Sequence, residues 1–490
     1  MDETSTSPPQ PHDGRSPDPR DPRGLRGSAP LLDAWLSHAE RSPHPFTIPG
    51  HKQRTDLVGQ IVRDDVPLYG GLDEVKLSGG LLEESQNRAA RLWGADVCRF
   101  SVGGSTHGNQ ALALAVARPG DRVVVARTLH RSMLLGLVLA GLEPVWLRPE
   151  VDTGHGLPIG VTATALEAAL AAAPDARAVF VGDPSYVGTV GDVGGLATVA
   201  HRHGIPLVVD AAWGAHLGFH PALPPHALAA GADALVTSAH KALPAWSQGA
   251  LVLGRSRRIG RARFDAAVEA TATTSPSGAI LASIDAARAL LQRDGEALLG
   301  PVIEAVATVR ERLARVPGLV VLDGPGVDPM RLTLVLPGTG ADGNAVEADL
   351  LARGMPVEMA ARDTVVAMVT LADTPEGLVD LAVALVESVD RHRGSPRAVV
   401  TSGVWAVDPV TVTSPREAFF APRESVAIEQ AVGRVCAELV APYPPGIPVL
   451  APGEEVTLDA VDALRAARVA GSRIAYAADP TVHTLDVIAE

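Results

Sequence analysis

The segment "ADALVTSAHKALPAWSQGALVL" (232–253) sets Ser238, His240 and Lys241 between two apolar runs. A lysine in such company is partly desolvated, which lowers its pKa and leaves a neutral amine able to form a Schiff base. Standing alone, a lysine here reads better as a side chain snorkelling from a strand end. "IPLVVDAAWGAHLGFHP" (205–221) drives an apolar strand straight into Asp210. That carboxylate needs a cationic or hydrogen-bonding partner, and the alanines after it leave room for something flat. An aspartate capping the next turn would look the same. "SVGGSTHGNQALALA" (101–115) places Gly103, Gly104, Ser105 and Thr106 between a strand and a helix start, a ready anion site. It is not a nucleotide P-loop, since no Gly-Lys-Ser/Thr follows, and a plain Ser/Thr N-cap is the alternative. His130 closes the strand in "ARTLHRSM", and "DPSYVG" (183–188) offers Ser185 and Tyr186 after another.

Each signal is weak alone, but together they fit one cofactor, pyridoxal 5′-phosphate. The anion cradle anchors its phosphate, the aspartate keeps its ring nitrogen protonated, and the lysine holds it covalently. No metal-ligand spacing and no Ser-His-Asp pattern competes.

The elements that must position these residues are short continuous apolar strands alternating with helices, from about residue 85 to 255. Such alternation predicts an α/β fold with a mostly parallel sheet and helices on both faces. Ligands then bind at the carboxyl ends of the strands. His130, Asp183, Asp210 and Lys241 all fall at those ends. Residues 1–28, rich in Pro, Ser, Asp and Arg, read as a disordered tail. A large domain is expected over 29–295, a smaller α/β domain over 296–395 and a third unit over 396–490. The third unit follows the linker-like "RGSPRAVV" and contains the turn "APYPPGIPVL" (441–450).

A formal net charge of −14 argues against nucleic acid or an anionic membrane as the main partner. Cys98 and Cys436 lie too far apart for a disulfide framework, which fits a reducing, cytoplasmic setting. No apolar leader opens the chain, and the most apolar stretch, "SMLLGLVLAGLEPVWL", breaks before the length of a membrane span.

At these residues the chain resembles the fold-type I pyridoxal-phosphate enzymes, and more narrowly the ornithine/lysine/arginine decarboxylases. The motifs are "TIPGHK" (47–52), "GGSTHGNQ" (103–110), "RTLHRS" (127–132), "DAAWGAH" (210–216), "SAHKALPAWSQ" (238–248), "TTSPSG" (273–278) and "PYPPGIP" (442–448). The resemblance implies that Lys241 is the Schiff-base lysine, Asp210 the partner of the pyridine nitrogen and His130 the imidazole stacked on the ring. It implies that Ser105, Thr106, Ser238 and His240 hold the phosphate and that Ser185 lies near the phenolic oxygen. It also implies a homodimer or larger assembly, with "TTSPSG" contributed across the subunit interface. The reaction implied is loss of CO2 from arginine, lysine or ornithine to give the amine, a step of polyamine metabolism. Glu438 is then a candidate partner for the substrate's distal cation. Two residues depart from the pattern: Trp213 stands where the family commonly has His, and Gly278 where it commonly has Tyr. Trp213 puts a large apolar group beside the cofactor, and Gly278 removes a side chain from the substrate side. The rival readings are an aminotransferase, with Arg331 or Arg362 gripping a carboxylate, an aldolase-type lyase, and a non-catalytic cofactor-binding homologue.

Overall fold

The computed structural model describes residues 19–41, 46–63, 65–66, 80–399, 407–443, 448–469 and 471–490. Nine strands come first: β1 (Val97–Ser101), β2 (Arg122–Ala126), β3 (Glu143–Leu147), β4 (Glu150–Asp152), β5 (Leu157–Gly160), β6 (Val179–Gly182), β7 (Leu207–Asp210), β8 (Ala234–Ser238) and β9 (Ala250–Gly254). Seven form one sheet in the order β1-β9-β8-β7-β6-β2-β3, while β4 and β5 make a separate hairpin. Around them lie α1 (Pro30–Arg41), α2 (Thr55–Val58), α3 (Leu81–Leu92), α4 (Gly104–Val116), α5 (Arg131–Ala140), α6 (Ala163–Ala172), α7 (Val193–Arg202), α8 (Ala239–Ala242) and α9 (Arg261–Thr271).

Strands β3, β2, β6, β7 and β8 pair in parallel. Every residue of β7, β8 and β9 is buried, as strands covered on both faces require. β9 alone reverses, running antiparallel to β8 and β1. The join over 239–249 is too short for the crossover of a dozen or more residues that a parallel return needs. The chain therefore turns back through α8, a single helical turn, and Lys241 stands in that turn.

α10 (Gly278–Leu313) is a 36-residue helix, ~54 Å long at 1.5 Å per residue. The border expected at 295 falls inside it. The large and small units share this helix and one continuous apolar core. The small unit is an antiparallel sheet of β10 (Val320–Val321), β11 (Arg331–Val335), β12 (Met359–Ala361) and β13 (Thr364–Met368). α11 (Gly343–Ala352) and α12 (Pro375–Arg391) complete it.

The C-terminal unit contains α13 (Pro415–Phe420), β14 (Arg423–Ala427), α14 (Ile428–Ala431), β15 (Ala441–Tyr443), α15 (Leu458–Val469), β16 (Arg473–Ala475) and β17 (Thr484–Ile488). β14 pairs with β17 and β15 with β16, over a separate core that includes Cys436, Val440, Leu450, Leu464 and Leu485.

Residues 1–18 of the expected tail, and the turn residues 444–447, lie outside the described residues. The rest of the tail is not loose. Leu25 is buried in the main core, and its N–H donates to Asp21 Oδ1 at 2.7 Å. Arg88 and Arg288 both donate to the Ser28 carbonyl. One leucine and several guanidinium groups reaching in from neighbouring helices are enough to order this stretch. Among the described residues no helix is long and apolar enough to cross a membrane.

Candidate active site

The carboxyl edge of the sheet collects the predicted residues. β7 ends in Asp210, β8 in Ser238 and the turn of His240 and Lys241, and β2 leads through residues 127–130 into α5. β1, parallel to β8 because both oppose β9, leads through Gly103 into α4, whose first turn holds Ser105 and Thr106.

The cradle fits a phosphate. The Ser238 hydroxyl is fully buried yet has no hydrogen-bond partner among the described residues, a cost that a bound oxyanion would remove. His240 donates from Nδ1 to the Gly249 carbonyl at 2.9 Å, which fixes its ring beside the cradle. The N-terminus of α4 adds its own positive end.

Asp210 is buried at 8% exposure, and both its oxygens are engaged. Oδ1 accepts from the Ala212 N–H at 3.1 Å and Oδ2 from Asn109 Nδ2 at 2.7 Å. The same Asn109 amide donates to Ser132 Oγ at 2.8 Å, and Ser132 Oγ lies 2.9 Å from His130 Nδ1. His130 caps α5, with Nδ1 accepting from the Ser132 N–H, so the ring proton is assigned to Nε2. A polar chain thus joins the carboxylate to the imidazole. Enclosure by protein holds His130 below its ordinary pKa, opposed by Asp210 and helped by Lys241 and Arg131. Asn109 and Ser132 are functional residues that the local pattern does not single out. The available signal was an Asn amid the apolar face of "HGNQALALA", where a buried amide must find partners.

Burial holds the Lys241 amine below the ordinary lysine value. Asp210 and Glu358 oppose that shift, and Arg331 adds to it. Its Nζ lies 3.6 Å from the centre of the Trp213 ring, so the unusual tryptophan does stand beside the reactive amine. Arg331 lies 4.9 Å from the same ring, and Tyr186 meets it edge-on at 5.0 Å. Tyr186 donates from its hydroxyl to Glu358 Oε1 at 3.1 Å.

Arg331 opens β11 in the small unit, and its stem crosses Gly188, where any Cβ would collide with it. It is 2% exposed, and its Nε and Nη1 have no hydrogen-bond partner among the described residues. Burial lowers its pKa, while Asp328 and Glu358 raise it. Asp328 is itself braced by His216 Nε2 at 3.0 Å.

Several expected positions go elsewhere. The Ser185 hydroxyl closes its own turn, 2.6 Å from Thr189 Oγ1. Glu438 accepts the Asp486 and Ala478 N–H groups inside the C-terminal unit, a structural use of both its oxygens. Arg362 is paired with Asp363 at 2.7 Å. Gly278 begins α10 with its N–H on the Val66 carbonyl, and a Cβ there would stand 2.6 Å from that oxygen. Its lack of a side chain is therefore a packing requirement. Asp65 joins the two flanking motifs, lying 3.2 Å from His51 Nε2 and 3.4 Å from Ser277 Oγ.

A mostly parallel sheet bearing a lysine, an aspartate and an oxyanion cradle on its carboxyl edge defines the fold-type I class. Residues 29–325 match the Orn/Lys/Arg decarboxylase major domain and residues 400–474 the C-terminal domain of the same proteins, and the chain belongs to that decarboxylase family. An arginine decarboxylase of Halalkalibacterium halodurans is 32% identical over 483 residues, which is 94% of this chain and 98% of the relative. One from Bacillus subtilis is 30% identical over 479 residues, again 94% and 98%. The solved lysine decarboxylase A from Pseudomonas aeruginosa shares the fold with a TM-score of 0.80 at 21% identity, over 94% of this chain and 80% of that one.

Proposed function

We propose that this enzyme, with pyridoxal 5′-phosphate bound, removes the α-carboxyl group of a basic amino acid as CO2 and releases the amine. The observation that carries the reading is the buried, partnerless Ser238 hydroxyl on the edge that also bears Asp210 and Lys241. Ser105, Thr106, Ser238 and His240 would hold the phosphate, Asp210 would face the ring nitrogen, His130 the ring and Lys241 the aldehyde carbon. Bound there, the cofactor supplies a cationic ring that takes up the electron pair left at Cα when CO2 departs.

The protein's own residues do the rest. Asp210, fixed by Asn109 and Ala212, keeps a proton on the ring nitrogen. Trp213 keeps water from the amine and the departing carboxylate. The proton that Cα then takes up comes from Lys241 or His130, both made more acidic by burial. Arg331 offers two free N–H donors to the incoming carboxylate. Glu358, close enough to act on both Lys241 and Arg331, is the acidic group for a distal cation. The full-length likeness to arginine decarboxylases favours arginine over lysine and ornithine. We further infer a cytoplasmic homodimer or larger assembly, supported by two free, buried cysteines and by exposed Phe46, Ile61 and Trp246 near the motifs 47–52 and 238–248.

Mass spectrometry after incubating the cofactor-loaded protein with each amino acid tests this. An amine lighter than its substrate by CO2, absent in Lys241→Ala, is the expected result. No amine from any of the three would overturn the basic-substrate reading. Because Arg331 is also what an aminotransferase would use, the keto acid is assayed in the same mixture.

A further inference from the structure

Helix α5 starts at His130, and both its ends are gripped by the C-terminal unit. Before it, buried Arg127 forks onto both carboxylate oxygens of Glu454, which is 1% exposed. The same guanidinium donates to the Pro448 carbonyl at 3.1 Å and the Val449 carbonyl at 3.0 Å. Just after His130, the Arg131 guanidinium lies 4.2 Å from the centre of the Tyr476 ring. At the far end, Arg416 donates to the carbonyls of Val138 and Leu139, the usual place for a cation on a helix. A buried Arg–Glu pair removes two charges from water and is a poor way to gain stability alone. Four hydrogen bonds on one guanidinium fix its direction instead. Tyr476 carries a second mark: its φ is +70°, a left-handed conformation that is strained for a bulky side chain. A strained residue whose ring covers Arg131, next to the imidazole of the site, asks for a reason beyond packing.

We propose that the C-terminal unit is a positioning device for His130, with Glu454 and Tyr476 as its positioning residues. Glu454 fixes the stem before the imidazole and Tyr476 the cation after it. The inference rests on the placing of His130 against the cofactor ring. Three charged groups act on that imidazole: Asp210 from β7, Lys241 from α8 and Arg131 from α5. Of these, Arg131 is the one in contact with the C-terminal unit.

Tyr476→Gly separates positioning from stability, because glycine takes the left-handed conformation without strain while the ring is lost. In the holoenzyme, Tyr476→Gly is expected to keep or raise Tm while kcat falls about tenfold, the scale of a small misplacement, with KM little changed. Tyr476→Phe, which keeps the ring, should restore kcat. In the cofactor-free protein, the His130 NMR titration, assigned by its loss in His130→Gln, should move up as Arg131 is released. This readout does not depend on the reaction, so a wild type that makes no amine would overturn the proposed function and leave the grip on His130 to be decided by the titration. If Tyr476→Gly does not fold, Glu454→Gln, which loosens Arg127 before the imidazole, should lower kcat likewise and shift the His130 titration as the ring leaves its place between Asp210, Lys241 and Arg131. An unchanged kcat together with an unchanged His130 titration in the variant that folds would make the C-terminal contacts merely structural and overturn the proposal.

Discussion

Two polar clusters meet at the site, and their buried atoms differ in how well they are satisfied. Around Asp210, the chain through Asn109, Ser132 and His130 leaves one described side-chain atom, Asn109 Oδ1, without a partner. Around Arg331, four atoms lack one: Arg331 Nε and Nη1, Asp328 Oδ2 and His216 Nδ1. A closed network is rigid before anything binds, which suits a resident cofactor. An open one carries the desolvation cost of its groups until a ligand completes it, which suits a substrate that comes and goes. The Asp210 cluster is therefore built to hold, and the Arg331 cluster to receive.

The sharpest break of that contrast is at Lys241, where both sides converge. Lys241→Ala should lower amine formation roughly a thousandfold or more, read by product mass spectrometry. Within the closed cluster, Asn109→Leu keeps the volume but strips Asp210 Oδ2 and Ser132 Oγ of their shared donor. It should cost about 1–3 kcal/mol in denaturant unfolding and lower kcat about tenfold. Arg331→Met should behave oppositely, raising KM about tenfold with kcat nearly kept. Stability should be unchanged or higher, because a buried cation with free donors has been removed. Equal destabilisation by Asn109→Leu and Arg331→Met would erase the distinction between the clusters.

The smallest effect is one of pH. The folded protein holds the Lys241 amine below its ordinary value of 10.5. Between that lowered value and 10.5 the unfolded chain binds the extra proton, so stability from this group rises with pH across the window and is lost as pH falls through it. Lys241→Met lacks the dependence. The Tm gap between cofactor-free Lys241→Met and the wild type should therefore widen as pH falls from 10.5, then level off. A gap independent of pH would mean that the amine is not desolvated.

The readable parts of the sequence were those in which local pattern and chemistry coincide. Apolar runs ending in Asp210, in Ser238 with Lys241, and just before His130 announced a parallel sheet and its carboxyl edge together. The reversal of β9 was also implicit, in a join too short to cross over. What stayed hidden depends on side chains meeting across hundreds of positions. Arg331 opens a strand of the small unit and Glu358 lies in a bend beyond it, and nothing local ties either to Lys241. Glu438, chosen for its closeness to a motif, serves backbone N–H groups of its own unit.

The sequence by itself determined the class of fold and the strand ends at which Asp210, Ser238 and Lys241 stand. Each is set by strand periodicity and by the residue one or two places beyond a strand end. Tertiary structure alone decided which groups face the amine, why Gly278 has no room for a side chain, and that α5 is held from the C-terminal unit. Those outcomes turn on distance and burial between segments far apart in the chain, and no local pattern encodes a contact such as Arg127 with Glu454.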